Sequence, residues 1–306
     1  MTGPDSAGTR LQVFQQSSAV VLGATSLVGR FLVDRLVTAG IHPIAVSRNS
    51  QAPRAGVRWV AADLMDLRLP PDEVPRVAFS AGPIWLLPAA LPVLHQAGVS
   101  RLVAFSSTSR FTKETSPISA EREVARRLID GEAATQSYCD DHGIAWTILR
   151  PTVIYAEGQD RSITRLANLI RKLRVLPLAG DGLGKRQPVH ADDLAAGALA
   201  AALSAAGENR AYDLPGGETL TYRAMCERIF EALGYRPRIV SVPPTVWRMG
   251  LSIAALAMPG ITTAMGSRMA DDLTFDPTQA ERDFRWRPRG FRPCFTSKGA
   301  PAPPSA

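Results

Sequence analysis

The stretch Ala19-Val20-Val21-Leu22-Gly23-Ala24-Thr25-Ser26-Leu27-Val28-Gly29 decides the fold. Four apolar residues with β-branched members form a strand buried on both faces. A glycine-bounded loop follows, and Leu32, Leu36 and Val37 then carry helical spacing. Strand, glycine loop, helix is the context that a dinucleotide-phosphate site requires. Gly23 permits the tight turn and Gly29 lets the helix pack closely on the strand. Thr25, Ser26, Leu27 and Val28 place free N–H groups at the helix start, where a pyrophosphate is held. The spacing is GxxxxxG rather than GxxGxxG. Ser26 brings a side chain to a point where backbone usually approaches the ligand, and its hydroxyl can itself donate to phosphate.

Outward from this loop, short apolar runs recur at residues 44–47, 57–61, 77–79, 102–106 and 146–149, separated by helical stretches. That alternation predicts an α/β fold with a doubly wound parallel sheet and right-handed crossovers. Beyond Arg150 the pattern loosens. Helices are expected at 161–173, 190–205 and 221–233, and strands at 211–214 and 238–242. The expected division is a leader at 1–18, a nucleotide-binding domain at 19–160, a small mixed region at 161–296 with one strand returning to the sheet, and a Pro/Ala-rich tail at 297–306. The leader and tail read as disordered.

The ends of the predicted strands supply the remaining binding candidates. Arg48 follows the second strand, where an acidic residue would bind the ribose 2′-hydroxyl of NAD. An arginine suits the 2′-phosphate of NADP, so NADP is expected and NAD is the alternative. Arg30 could assist. Asp63 and Leu64 close the third strand and are candidates for an adenine contact. Ser80-Ala81-Gly82 and Pro151-Thr152 end later strands on the side where open α/β sheets bind ligands.

Composition narrows the class further. The 306 residues carry 35 Lys+Arg and 28 Asp+Glu, a formal charge of +7, with 45% hydrophobic residues. A disordered chain is excluded by that apolar content. Lysines stand only at 113, 172, 185 and 298, so the basic excess is arginine. No basic helix or aromatic stacking motif accompanies it, which argues against a nucleic-acid partner. Cys139, Cys226 and Cys294 are odd in number and widely spaced. They suit a reducing cytoplasm, not a disulfide framework, and supply no metal-ligand spacing. Residues 249–267 are uncharged but broken by Pro259-Gly260. Two short lid helices or a surface touching a bilayer fit them better than a membrane span.

Four further motifs complete a resemblance: VAFSSTS at 103–109, ILRPTVIY at 148–155, QPVHADDLAAG at 187–197 and RWRPRGF at 285–291. With the glycine loop and in this order, the chain resembles the short-chain dehydrogenase/reductase superfamily, in its extended or atypical NAD-dependent epimerase/dehydratase branch. The resemblance implies a Rossmann domain with a small substrate domain. It also implies a small-molecule substrate, either a nucleotide sugar or another carbonyl or hydroxyl compound. Some members bind the nucleotide without known turnover, and an accessory subunit of respiratory complex I is one such case.

That superfamily's chemistry uses a Tyr and a Lys four residues apart on one helix. A Ser or Thr after the preceding strand binds the same substrate oxygen. Ser106, Ser107 and Thr108 fill the latter role. The tyrosines at 138, 155, 212, 222 and 235 are followed four residues on by His142, Gln159, Gly216, Cys226 and Ile239, so no YxxxK exists. With Glu132 taken as the glutamate often found on this helix, the Tyr and Lys positions fall at Val124 and Leu128. Substitute acid/base candidates are Lys113, Arg122 and Tyr138, the last with His142 one turn on. His190 reads as a helix-entry residue.

Overall fold

The computed structural model describes residues 18–243, 247 and 269–295. Residues 1–17 of the expected leader, the segment 249–267 and the tail 297–306 lie outside the described residues.

The chain divides into two compact units. The first comprises residues 1–152, 191–214 and 276–287, and the second 153–190, 215–275 and 288–306. The division therefore differs from a single boundary at 160, because two later segments rejoin the first unit.

In the first unit, strands β1 (Ala19–Leu22), β2 (Pro43–Ser47), β3 (Arg58–Ala61), β4 (Val77–Ser80), β5 (Arg101–Phe105) and β6 (Ala145–Pro151) join the returning strand β11 (Arg210–Leu214). They form one seven-stranded sheet in the order β11-β6-β5-β4-β1-β2-β3. Every pairing is parallel. β1, β2, β4 and β5 are buried along their whole length, which explains their largely apolar composition. Edge strand β3 is half-buried to exposed.

Helices α1 (Leu27–Thr38), α2 (Leu87–Gln96), the short α3 (Ser109–Thr112), α4 (Ser119–Asp141), α6 (Ala191–Leu203) and α8 (Thr278–Phe284) belong to this unit. α1 and α6 lie side by side, and Arg35 grips Asp192 through two hydrogen bonds of 2.7 and 2.9 Å. The acids of the first turn of α6 thus meet the expected dipole position and an arginine as well. Gly197 admits the ring of Trp286: a Cβ there would stand 2.5 Å from the indole.

The second unit holds three two-stranded ladders. β7 (Ile154–Tyr155) pairs with β10 (Val189–His190), β8 (Leu176–Ala179) with β13 (Ile239–Val242), and β9 (Lys185–Arg186) with β12 (Leu220–Thr221). Helices α5 (Ile163–Leu173) and α7 (Tyr222–Ala232) cover a core built on Tyr155, Ile170, Phe230 and Phe291. Thr221 caps α7 by accepting the Ala224 amide, and Gly234 follows with φ +72°. Among the described residues, no helix is long and apolar enough to cross a membrane.

Candidate functional site

The parallel sheet brings the C-terminal ends of β1, β2, β4, β5 and β6 to one edge. Sequence candidates from four separate motifs meet there. Gly23 leaves β1 with φ +70°, and a Cβ on it would stand 2.9 Å from the amide nitrogen of Gly82. A Cβ on Gly29 would lie 2.2 Å from the carbonyl oxygen of Gly23. The two glycines are therefore dictated by close backbone approach.

Ser26 is the N-cap of α1. Its Oγ accepts the Gly29 amide at 3.0 Å. The serine in the middle of the motif thus has a local structural role, and its own hydrogen stays free to donate. The amides of Leu27 and Val28 meet no acceptor among the described residues. A helix start with free N–H groups behind a glycine cradle fits a diphosphate. Arg30 Nε donates to the carbonyl of Thr25 at 3.0 Å, so it braces the loop.

Ser47 at the end of β2 is buried and lies 3.4 Å from the Thr25 hydroxyl. Arg48 follows it, exposed and without a partner among the described residues. No acid stands among Arg48, Asn49, Ser50 and Gln51. Asp63 caps a short 3₁₀ turn by accepting the Met65 amide at 3.0 Å. Leu64 is buried, and its Cδ1 would be 3.6 Å from a Cβ on Gly82. Ser80 is fully buried and its Oγ has no hydrogen-bond partner among the described residues. The amide of Ala81 is bound to the Leu22 carbonyl at 2.9 Å.

Beside this cradle lies a cavity of about 220 Å³. Its walls are Gly82 to Trp85 after β4, Phe105 to Ser107 and Ser109 after β5, and Val124 and Leu128 on α4. Gly131 makes this wall: a Cβ there would lie 2.8 Å from the backbone of Trp85, so the glycine lets α4 close on the 3₁₀ turn carrying that indole. Val124 and Leu128 thus present apolar side chains to the cavity.

Under Ser106 sits a charge cluster. Glu132 is 1% exposed. It accepts the Ser106 hydroxyl at 2.5 Å and is held by Arg150 through Nε at 3.1 Å and Nη2 at 2.6 Å, and by Arg110. Phe111 lies against both guanidiniums, 5.0 and 5.3 Å from its ring centre. Asp213 flanks the cluster 3.8 Å from Arg150. Burial pushes its carboxyl up, against the pull of Arg150, and the charge of Glu132 adds to the rise.

The other catalytic candidates divide. Ser107 lines the cavity. Thr108 is buried and donates to the Pro151 carbonyl at 3.1 Å, which binds β5 to β6 instead of a ligand. Pro151 and Thr152 lie at the end of β6, and Thr152 donates its amide to Leu214. Lys113 caps α3 one turn beyond Ser109 and does not line the cavity. Arg122 donates to the Ser116 carbonyl at 2.7 Å. Tyr138 is corrected by its position. It lies 14 residues beyond Val124 on α4, about 21 Å along the axis, at the opposite edge of the sheet. There it stacks on His142, which caps the helix. His190 ends β10, and its Nε2 lies 3.3 Å from Glu157, whose carboxyl is held down by that bond against the opposing effect of burial. Among the described residues, no group of His, Cys, Asp or Glu side chains could hold a metal ion.

The fold and glycine cradle define a Rossmann protein of the dinucleotide-binding class. Residues 88–214 match the NAD dependent epimerase/dehydratase family, and the chain has the fold of the short-chain dehydrogenase/reductase superfamily. Over 249 residues it is 24% identical to the mitochondrial NADH dehydrogenase [ubiquinone] 1 alpha subcomplex subunit 9 of Arabidopsis thaliana, covering 74% of this chain and 60% of that one. Over 220 residues it is 28% identical to the 2-alkyl-3-oxoalkanoate reductase of Stenotrophomonas maltophilia, covering 63% and 65%. The chain thus spans less than two thirds of the length of these relatives. Among solved structures, the UDP-glucuronic acid 4-epimerase of Bacillus cereus in complex with UDP-glucuronic acid and NAD superposes with a TM-score of 0.67 at 15% identity. That match covers 92% of this chain and 96% of the epimerase.

Proposed function

We propose that the chain binds NADP in preference to NAD and acts as an oxidoreductase of the epimerase/dehydratase kind on a compound bearing a hydroxyl or carbonyl group. The observation that carries this reading is the cradle closed by Gly23 and Gly82, with Arg48 where an NAD enzyme has an acid. A bound nicotinamide would supply or accept the hydride. Gly23, Gly29 and the amides of Leu27 and Val28 would hold the diphosphate, and Arg48 the 2′-phosphate. Asp63 and Leu64 would border the adenine, and Ser80 to Gly82 with Pro151 and Thr152 the nicotinamide end. Ser106 and Ser107 would meet the reacting oxygen. The aliphatic and aromatic walls favour a compact carbonyl or hydroxyl compound over the sugar of a nucleotide sugar. Similarity to a protein named as an oxoalkanoate reductase supports that class.

A second reading, a non-catalytic NADP-binding module, is favoured by one observation. No side chain lining the cavity titrates near neutral pH. Similarity to a complex I subunit agrees with it. Fluorescence titration with NADPH and NADH, followed by turnover assays on secondary alcohols and ketones, separates the readings. Binding with turnover supports the oxidoreductase, and binding without turnover the module. Binding of neither cofactor at millimolar concentration sinks both. Contact with a bilayer through residues 249–267 is a separate proposal, and liposome co-sedimentation tests it.

A further inference from the structure

Ser106 and Ser107 are neighbours on the cavity wall, yet their hydroxyls are committed in opposite senses. Ser106 donates its hydrogen to Glu132 at 2.5 Å, the length of a charge-assisted bond to a carboxylate. Glu132 is gripped by Arg110 and Arg150, and both of its oxygens accept from donors, so it takes the Ser106 hydrogen. A serine whose hydrogen points at a buried carboxylate shows only lone pairs to the cavity. Ser107 is the reverse case. Its Oγ accepts the Ser109 amide at 3.1 Å, and its hydrogen meets no acceptor among the described residues. Ser109 also lies on the wall, and Ile84, Trp85, Phe105, Val124 and Leu128 make its apolar, uncharged part.

We infer that this cavity takes a compact, mainly apolar molecule through a hydroxyl group that donates to Ser106 and accepts from Ser107. The inference deepens the proposed function and rests on it only in taking the cavity as the reactant's place. A ketone oxygen accepts only. It satisfies Ser107 but faces the lone pairs of Ser106, whereas an alcohol satisfies both. Glu132 is then a positioning residue, acting through Ser106 without touching the ligand. One net hydrogen bond corresponds to a preference of about five- to tenfold.

Cyclohexanol and cyclohexanone share a ring and differ in this respect. Their affinities for the full chain are to be measured by ligand-observed NMR, with NADPH titrated into the same samples. The alcohol is expected to bind about five- to tenfold tighter. Ser106→Ala, which leaves Glu132 paired with both arginines, should weaken the alcohol and abolish the preference. Ser107→Ala should weaken both probes. Val124→Phe, which fills the cavity, should block both. Glu132→Gln can turn its amide nitrogen toward Ser106, releasing the serine hydrogen and moving the preference toward the ketone. Equal affinities, a ketone preference, no binding of either probe, or a preference that survives Ser106→Ala overturns the inference. NADPH binding reports the cofactor site independently, so failure here with NADPH bound leaves the NADP reading standing.

Discussion

Gly23 and Gly82 meet backbone to backbone: a Cβ on Gly23 would lie 2.9 Å from the amide nitrogen of Gly82, and Gly23 has φ +70°. The loop after β1 and the loop after β4 are therefore fitted to each other, and the helix start of α1 takes its position from that fit. Gly23→Ala must either strain the left-handed backbone or push the two loops apart. The expected outcome is a loss of NADPH affinity of at least tenfold with a modest fall in Tm. Unchanged affinity in a fluorescence titration would show that the cradle does not hold the diphosphate.

Arg48 is exposed, unpartnered among the described residues, and placed where the second strand ends. A charged hydrogen bond to a 2′-phosphate contributes about 1.5–3 kcal/mol. Arg48→Asp should therefore weaken NADPH by at least about tenfold while leaving NADH equal or tighter. A parallel titration with both cofactors checks this. Equal losses for the two would mean that Arg48 serves the loop rather than the phosphate.

The glycine loop and the strands of the sheet were legible because each is local. Four apolar residues in a row and a glycine at a fixed offset need no knowledge of distant chain. The charge cluster was not. Glu132 stands 22 residues from Arg110 and 18 from Arg150, and only the folded sheet brings them together. Two signals did point to it. Leu128, Glu132, Thr135 and Cys139 share the buried face of α4, which puts a carboxylate where apolar residues belong. An arginine in the apolar run ILRP, at 148–151, equally demands a buried partner. One strand was expected to return to the sheet, but the return of α8 to the first unit was harder to read, since nothing local ties residues 276–287 to a sheet built before residue 152. Tyr138 misled for the same reason. Helical spacing paired it with His142 but carried no information on which end of α4 faces the ligand edge.

Glu132 is expected to be far more important to stability than Ser106, although they share one bond. Removing a partner from a buried ion pair leaves uncompensated charge, costing about 3–5 kcal/mol. Arg110 and Arg150 have side chains only 21% and 14% exposed, so water would relieve them poorly. Glu132→Ala should lower the urea-unfolding free energy by about that amount. Glu132→Gln should cost less, since it keeps the shape and one acceptor. Ser106→Ala should cost about 1.5–3 kcal/mol at most, the value of one bond to a charged group. Similar costs for Glu132→Ala and Ser106→Ala would mean that the arginines find other partners, with Asp213 the nearest.

Acid should loosen the second unit through Glu218. Its carboxyl is held down to about 2 from an ordinary 4.5, chiefly by the Arg228 hydrogen bond and then by Arg292. Arg228 also donates to the Phe291 carbonyl at 3.0 Å, so the pair fastens the segment that seats Phe291 on Tyr155. A lowered carboxylate pKa means that the folded state binds fewer protons than the unfolded chain. The stability Glu218 contributes is therefore complete above pH 4.5 and drains away as pH falls toward 2. Glu218→Gln should be less stable than the wild type at pH 7, and the gap should close steadily below pH 4.5. Thermal unfolding of both proteins between pH 7 and pH 3 measures it. A gap that stays constant across that range would place the contribution of Glu218 in packing or neutral hydrogen bonding, because only its ionised form carries the attraction to Arg228.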